Sequence, residues 1–217
     1  LFAYGLQQAK VVGKENVFDY SLGNPSIPAP AKVNETIKKL IDTTDSIQLH
    51  GYSMAPGFEN VRQAIADNLN ARFNCNAKAS ELFMTCGCAP ALVSVAHALT
   101  TSPEDEFIAI APFFPEYNVF FTCAGAKLAV VPADTVHFQI DMDALEKTIN
   151  EHSVAVVINS PNNPSGVVYT EETLTKIAEL LERKSKEYGH PIYIVADEPY
   201  RELVYDGVKV TFIPNVY

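Results

Sequence analysis

One pattern limits the architecture of this chain more than any other. Short apolar runs alternate with helical segments along most of its length. Val154-Ala155-Val156-Val157-Ile158-Asn159 is apolar almost throughout, which suits a strand buried on both faces. Thr170 to Tyr188 follows as a helix, with Leu174, Ile177, Ala178 and Leu181 at i, i+3, i+4 and i+7. Glu171 and Glu172 favour its N-terminus, and Lys184, Lys186 and Gly189 favour its end. Ile192-Tyr193-Ile194-Val195-Ala196 is a second strand, and it ends on Asp197. Strand, helix and strand in this order predict parallel pairing.

The alternation extends upstream. Leu82 to Thr85, Phe107 to Ile110 and Leu128 to Val131 read as strands. Ala89 to Leu99 and about Glu116 to Cys123 read as helices, and Leu145 and Ile149 mark another behind Asp141 and Asp143. Nearer the N-terminus come a short amphipathic helix, a strand at Asn16 to Tyr20, a loop at Ser21 to Ser26 and a link holding Pro28 and Pro30. A helix from Ala31 aligns Val33, Ile37, Leu40 and Ile41, and one from about Phe58 aligns Val61, Ala64, Ile65 and Leu69. The fold class is therefore α/β, a three-layer α/β/α arrangement around a mostly parallel sheet. No internal repeat or low-complexity segment interrupts it.

A chain of 217 residues, 47% of them hydrophobic, suffices for one globular domain or a portion of a larger protein. It begins without Met, so the expectation is an incomplete gene product. A net charge of −10 argues against nucleic acid and against an anionic membrane surface as partners. No apolar run reaches membrane-spanning length, and Leu1 to Gly5 is no signal peptide. Cys75, Cys86, Cys88 and Cys123 form neither a disulfide framework nor a paired zinc motif, which predicts no metal and a reduced, cytoplasmic setting.

Four strand ends carry the chemistry. Ligands of open α/β sheets bind beyond the carboxyl ends of the strands, where Asp197 and, one turn later, Tyr200 fall. A carboxylate in so dry a place needs a cationic partner, and a pyridinium nitrogen is one. An aspartate that merely caps the turn is the plainer alternative. Thr85-Cys86-Gly87-Cys88-Ala89-Pro90 joins a strand to a helix, where glycine and free N–H groups suit a phosphate. A tight turn is an equal alternative at that segment, while Cys86 and Cys88 alone are too few for a metal site. Asn159-Ser160-Pro161-Asn162-Asn163-Pro164-Ser165-Gly166 is too dense in Asn and Pro for a plain loop, and Asn163 has an amide to offer a ligand oxygen. Ala111-Pro112-Phe113-Phe114-Pro115-Glu116-Tyr117 leaves open whether Tyr117 stacks on a flat ring or belongs to the core.

Taken in order, Gly23-Asn24-Pro25, Tyr52 with Gly57, the Gly87 loop, Pro112 to Tyr117, Asn159 to Gly166 and Asp197 to Tyr200 resemble the pyridoxal phosphate (PLP) dependent aminotransferases of fold type I, class I/II. Ser160 to Gly166 and Asp197-Glu198-Pro199-Tyr200-Arg201-Glu202 look most like bacterial relatives of aspartate aminotransferase. The resemblance implies that backbone N–H groups at Gly87, Cys88 and Ala89 hold the PLP phosphate and that Tyr117 stacks on the pyridine. It implies that Asn163 and Tyr200 bond the 3-oxygen and that Asp197 pairs with the ring nitrogen. Tyr52 would reach the phosphate in a partner subunit of a homodimer, and Gly23, with Asn163, would meet the substrate carboxylate. Residues 1–27 would belong to a small domain and 28–217 to the large PLP-binding domain.

The family's Schiff-base lysine falls on a strand after the Tyr200 region, and the only lysine beyond Tyr200 is Lys209, in an apparent hairpin turn. The large domain is thus expected to be incomplete here, and the chain inactive alone. The implied activity moves an amino group between an α-amino acid and a 2-oxo acid. A PLP-dependent carbon–sulfur lyase and a non-catalytic PLP-binding sensor are the alternatives.

Overall fold

A computed structural model describes residues 2–18, 23 and 27–217. The chain separates into two compact units, Leu1–Ser53 and Met54–Tyr217.

The first unit carries helices α1 (Phe2–Val12), α2 (Ala31–Thr43) and α3 (Ser46–His50). Asp45 caps α3 by accepting from the N–H groups of Ile47 and Gln48. Val33, Ile37, Leu40 and Ile41 lie on α2 as expected, but all four are exposed. The strand expected at Asn16 to Tyr20 does not form in its described part. Residues Lys14–Asn16 close a 3-10 turn through Asn16 N–H to Gly13 O, and no described strand of this unit lies alongside to pair with Val17 and Phe18. Asp19 and Tyr20, like the Ser21–Ser26 loop apart from Gly23, lie outside the described residues.

The second unit holds helices α4 (Glu59–Phe73) and α5 (Cys88–Leu99), strand β1 (Glu106–Ile110), helix α6 (Glu116–Cys123) and strand β2 (Lys127–Val131). Helix α7 (Met142–Thr148), strand β3 (Ser153–Asn159), helix α8 (Glu171–Tyr188) and strand β4 (Tyr193–Asp197) follow. The four strands pair in the order β2-β1-β3-β4, and every pair is parallel. Side chains two apart along a strand share a face, and the core divides accordingly. Ile108, Ile110, Val156 and Ile158 pack with Leu145 of α7 and with Leu174, Ile177 and Leu181 of α8. Phe107, Ala109, Ala155 and Val157 face the other way, onto Leu92 and Ala96 of α5 and Tyr117 and Phe121 of α6. Fully burying one such aliphatic chain stabilises by about 1.5–3 kcal/mol, so two cores on opposite faces hold the three layers together.

Three expectations need correction. Leu82 to Thr85 is not a strand, because a strand needs a ladder and this segment makes isolated backbone bonds instead, Leu82 N–H to Ala79 O and Met84 N–H to Pro56 O. On α4 the buried position is Ala66, flanked by half-buried Ile65 and Leu69, while Val61 and Ala64 are exposed. Tyr205–Val208 forms a turn, with Asp206 at φ 55° and Gly207 at φ 71°, but no strands flank it and Lys209 is exposed.

The register positions the site. Asn159 stands beside Asp197 at the carboxyl ends of β3 and β4. The chain leaves β1 toward β2 on one side and returns to β3 on the other. The crevice at such a reversal is where open α/β sheets take ligands, and the segments after β1, β3 and β4 all enter it.

Candidate active site

Asp197 is 6% exposed, yet no cation pairs with it among the described residues. Both its carboxylate oxygens accept from neutral donors. Cys88 Sγ donates to Oδ1 at 3.0 Å, and Tyr117 Oη donates to Oδ2 at 2.5 Å. Burial first, and then the neighbouring carboxylate, push the Tyr117 hydroxyl well above the usual tyrosine range, so it stays protonated. An anion removed from water without a counter-charge is costly. A cationic group brought to this carboxylate would offset that cost.

Gly87 precedes α5 with φ 120°, a conformation that L side chains avoid, and the space a Cβ would fill is open. Thr85 Oγ1 bonds Gly87 O at 2.8 Å and shapes the turn. No side chain caps the helix, and Pro90 has no N–H to satisfy, so the N–H groups of Cys88 and Ala89 lack a side-chain acceptor, as is usual where a helix start takes an anion. Gly57 is constrained differently: a Cβ there would lie 2.7 Å from Met84 Cγ.

After β3, Asn159 acts as a bracket. Its Nδ2 donates to Asp197 O at 2.8 Å, and its Oδ1 accepts from Asn163 N–H at 2.6 Å. Asn162 Oδ1 accepts from the N–H and Oγ of Ser165, which closes the loop through its own backbone. The Ser160–Pro161, Asn163–Pro164 and Ala111–Pro112 peptides are cis. Asn163 Nδ2 reaches Tyr200 Oη at 3.4 Å, so the two residues expected to share a ligand oxygen do stand together. A cavity of about 240 Å³ is lined by Cys88, Ala89, Phe114, Asn163, Asp197 and Tyr200, among others. Its lining also includes Glu116 but no lysine or arginine. A larger cavity of about 530 Å³ adjoins it and shares Asn163 and Tyr200.

The structure thus brings Cys88, Ala89, Asn163, Asp197 and Tyr200 to one cavity, with Gly87 next to it. It does not bring the ring of Tyr117 there. Tyr117 is 1% exposed and packs edge-on to Phe114 in the core, reaching Asp197 only through its hydroxyl. Phe114 faces the cavity instead. Tyr117 and Phe121 are four residues apart on α6 and so share its buried side, and that spacing was the available sign. The side-chain bond from Cys88 and the bracket formed by Asn159 were missed as well. Tyr52 and Gly23 belong to the first unit and are exposed.

The family described as aminotransferase class I and II matches residues 15–216. A probable N-acetyl-LL-diaminopimelate aminotransferase of Bacillus subtilis is 31% identical over 198 residues, which is 90% of this chain and 47% of that protein. The aspartate aminotransferase of Bacillus subtilis is 33% identical over 73% of this chain and 39% of its own length. The crystal structure of an amino transferase from Eubacterium rectale superposes with a TM-score of 0.95 at 58% identity, covering all of this chain and 54% of that one. The chain spans about half the length of the relatives it matches or less.

Proposed function

The chain belongs to the class I and II aminotransferase family, and on that premise we propose that it forms the cofactor-binding portion of an enzyme transferring an amino group between an α-amino acid and a 2-oxo acid. Members of this family use PLP. The residues present fit that group: a buried carboxylate lacking a cation suits its ring nitrogen, and an uncapped helix start suits its phosphate. The observation that carries the reading is Asp197, a buried carboxyl group held only by neutral donors.

In this reading Asp197 holds a proton at the ring nitrogen, and the N–H groups around Gly87, Cys88 and Ala89 take the phosphate. Asn163 and Tyr200 donate to the ring's 3-oxygen. Phe114, rather than Tyr117, lies against the ring, while Tyr117 keeps Asp197 oriented. Bound there, PLP supplies the electron sink that stabilises negative charge at the α-carbon of an amino acid. The amine that carries PLP and moves the α-proton is assigned to none of these residues, since Lys209 stands in an exposed turn. Gly23 and Asn163 meet the substrate carboxylate, residues 1–27 belong to a small domain with 28–217 as the large one, and Tyr52 completes the phosphate site of a homodimeric partner. The four cysteines are free, which suits a cytoplasmic setting. No helix among the described residues is long and apolar enough to cross a membrane.

The relatives named above are aminotransferases, and they lend no support to a carbon–sulfur lyase or a sensor domain. The test uses the full-length protein, PLP and a panel of α-amino acids with 2-oxo acid acceptors. PLP is expected to bind stoichiometrically, and amino-group transfer is expected to require the acceptor. Release of a 2-oxo acid without any acceptor would instead assign a lyase.

A further inference from the structure

Cys88 is the first residue of α5. A cysteine at a helix N-terminus is ordinarily activated, because the helix dipole favours the thiolate. Here the opposite holds. Partial burial, the hydrogen bond to Asp197 and that carboxylate's charge push the thiol up to about 12. It is therefore a protonated donor, set 3.0 Å from Asp197 Oδ1, while Tyr117 donates to Oδ2. Two donors from two different helices thus fix both oxygens of one carboxylate at the edge of the cavity. Each oxygen has two lone-pair directions, so one can accept from its protein donor and from a ring N–H together. The ionisable groups facing the thiol are Asp197 on β4 and Tyr117 on α6, with Glu116 and Tyr200 also lining the cavity.

We propose that Cys88 is a positioning residue for Asp197: its thiol, with the Tyr117 hydroxyl on the other oxygen, fixes the plane in which the carboxylate meets the cofactor's ring nitrogen. The proposal rests on the PLP reading of the site. It gives the side chain of Cys88 a role beyond the phosphate contact made by its backbone.

Two measurements test it. In the cofactor-free protein, iodoacetamide alkylation is followed at each cysteine by mass spectrometry between pH 7 and 9. Cys88 and Cys86 are both exposed, so Cys86 serves as the internal reference. Cys88 is expected to lag behind Cys86. Asp197→Asn, which removes the charge but keeps an acceptor, should speed Cys88 by about tenfold while leaving Cys86 within about twofold. Asp197→Ser serves as a second charge-removing variant, and circular dichroism checks the fold of both. An unchanged Cys88 rate in folded variants overturns the proposal.

The second measurement is PLP affinity by absorbance titration from pH 6 to 9. Cys88→Ala should weaken binding by about three- to tenfold and alter the pH dependence of the bound cofactor's absorbance, and Cys88→Ser should restore both. Affinity and pH dependence equal to wild type in Cys88→Ala overturn the positioning role. A wild-type protein that binds no PLP at all overturns the cofactor reading and this proposal together, an outcome distinct from the other two.

Discussion

Asp197→Ala should weaken PLP binding by about a hundred- to a thousandfold and abolish amino-group transfer, while the cofactor-free protein melts within a few degrees of wild type. Removing one partner of a buried ion pair costs about 3–5 kcal/mol, and each 1.4 kcal/mol is tenfold in affinity. Stability responds differently because the carboxylate has no cationic partner within these residues. Its removal leaves two orphaned donors, Cys88 Sγ and Tyr117 Oη, but also takes away a buried carboxyl group that no cation offsets. These two effects oppose each other. Absorbance titration and a thermal melt, both on the full-length protein, separate binding from folding. Affinity within threefold of wild type would remove Asp197 from the site.

The second large effect belongs to the core. Phe121 is fully buried on α6 and stacks on Phe107 of β1, with centroids 4.1 Å apart and planes 3° from parallel. Phe121→Ala should cost about 3–5 kcal/mol, a large share of the about 5–15 kcal/mol that holds a domain together. Val119→Ala, two residues earlier on the exposed side of the same helix, should stay within about 0.5 kcal/mol. Equilibrium denaturation of both variants checks the contrast. A Phe121→Ala cost below about 1 kcal/mol would mean that α6 is not anchored through this stack. The core also serves the site here, because Phe121 lies beside Tyr117, whose hydroxyl holds Asp197.

What could be read from residues alone follows from which physical signals are local. The apolar run of β3 and the i, i+3, i+4, i+7 face of α8 are local patterns, and both elements stand where those patterns put them. Asp197 was legible because a carboxylate ending a buried strand is chemically conspicuous. The direction of a side chain at the start of a helix depends on the helix's phase against its sheet, a tertiary fact. Tyr117 was therefore open between ring contact and core, and Phe114 was not singled out. Leu82 to Thr85 had strand composition, but strandedness needs a neighbour, which sequence spacing does not reveal. The spacing of Val33, Ile37, Leu40 and Ile41 marks one face of α2, but spacing carries no information on whether that face is covered, and all four are exposed. The thiol of Cys88 was overlooked for a related reason. Its partner lies 109 residues away, and only the fold brings them together.

In the proposed function the carboxyl end of β4 receives the ring nitrogen of PLP. A crystal structure of the full-length protein grown with PLP tests it most directly. The ring nitrogen is expected within about 3 Å of an Asp197 carboxylate oxygen, the phosphate at the N–H groups of Cys88 and Ala89, and the ring against Phe114. A cofactor bound elsewhere, or one in this cavity with its ring nitrogen turned away from Asp197, would remove Asp197 as the partner of that nitrogen.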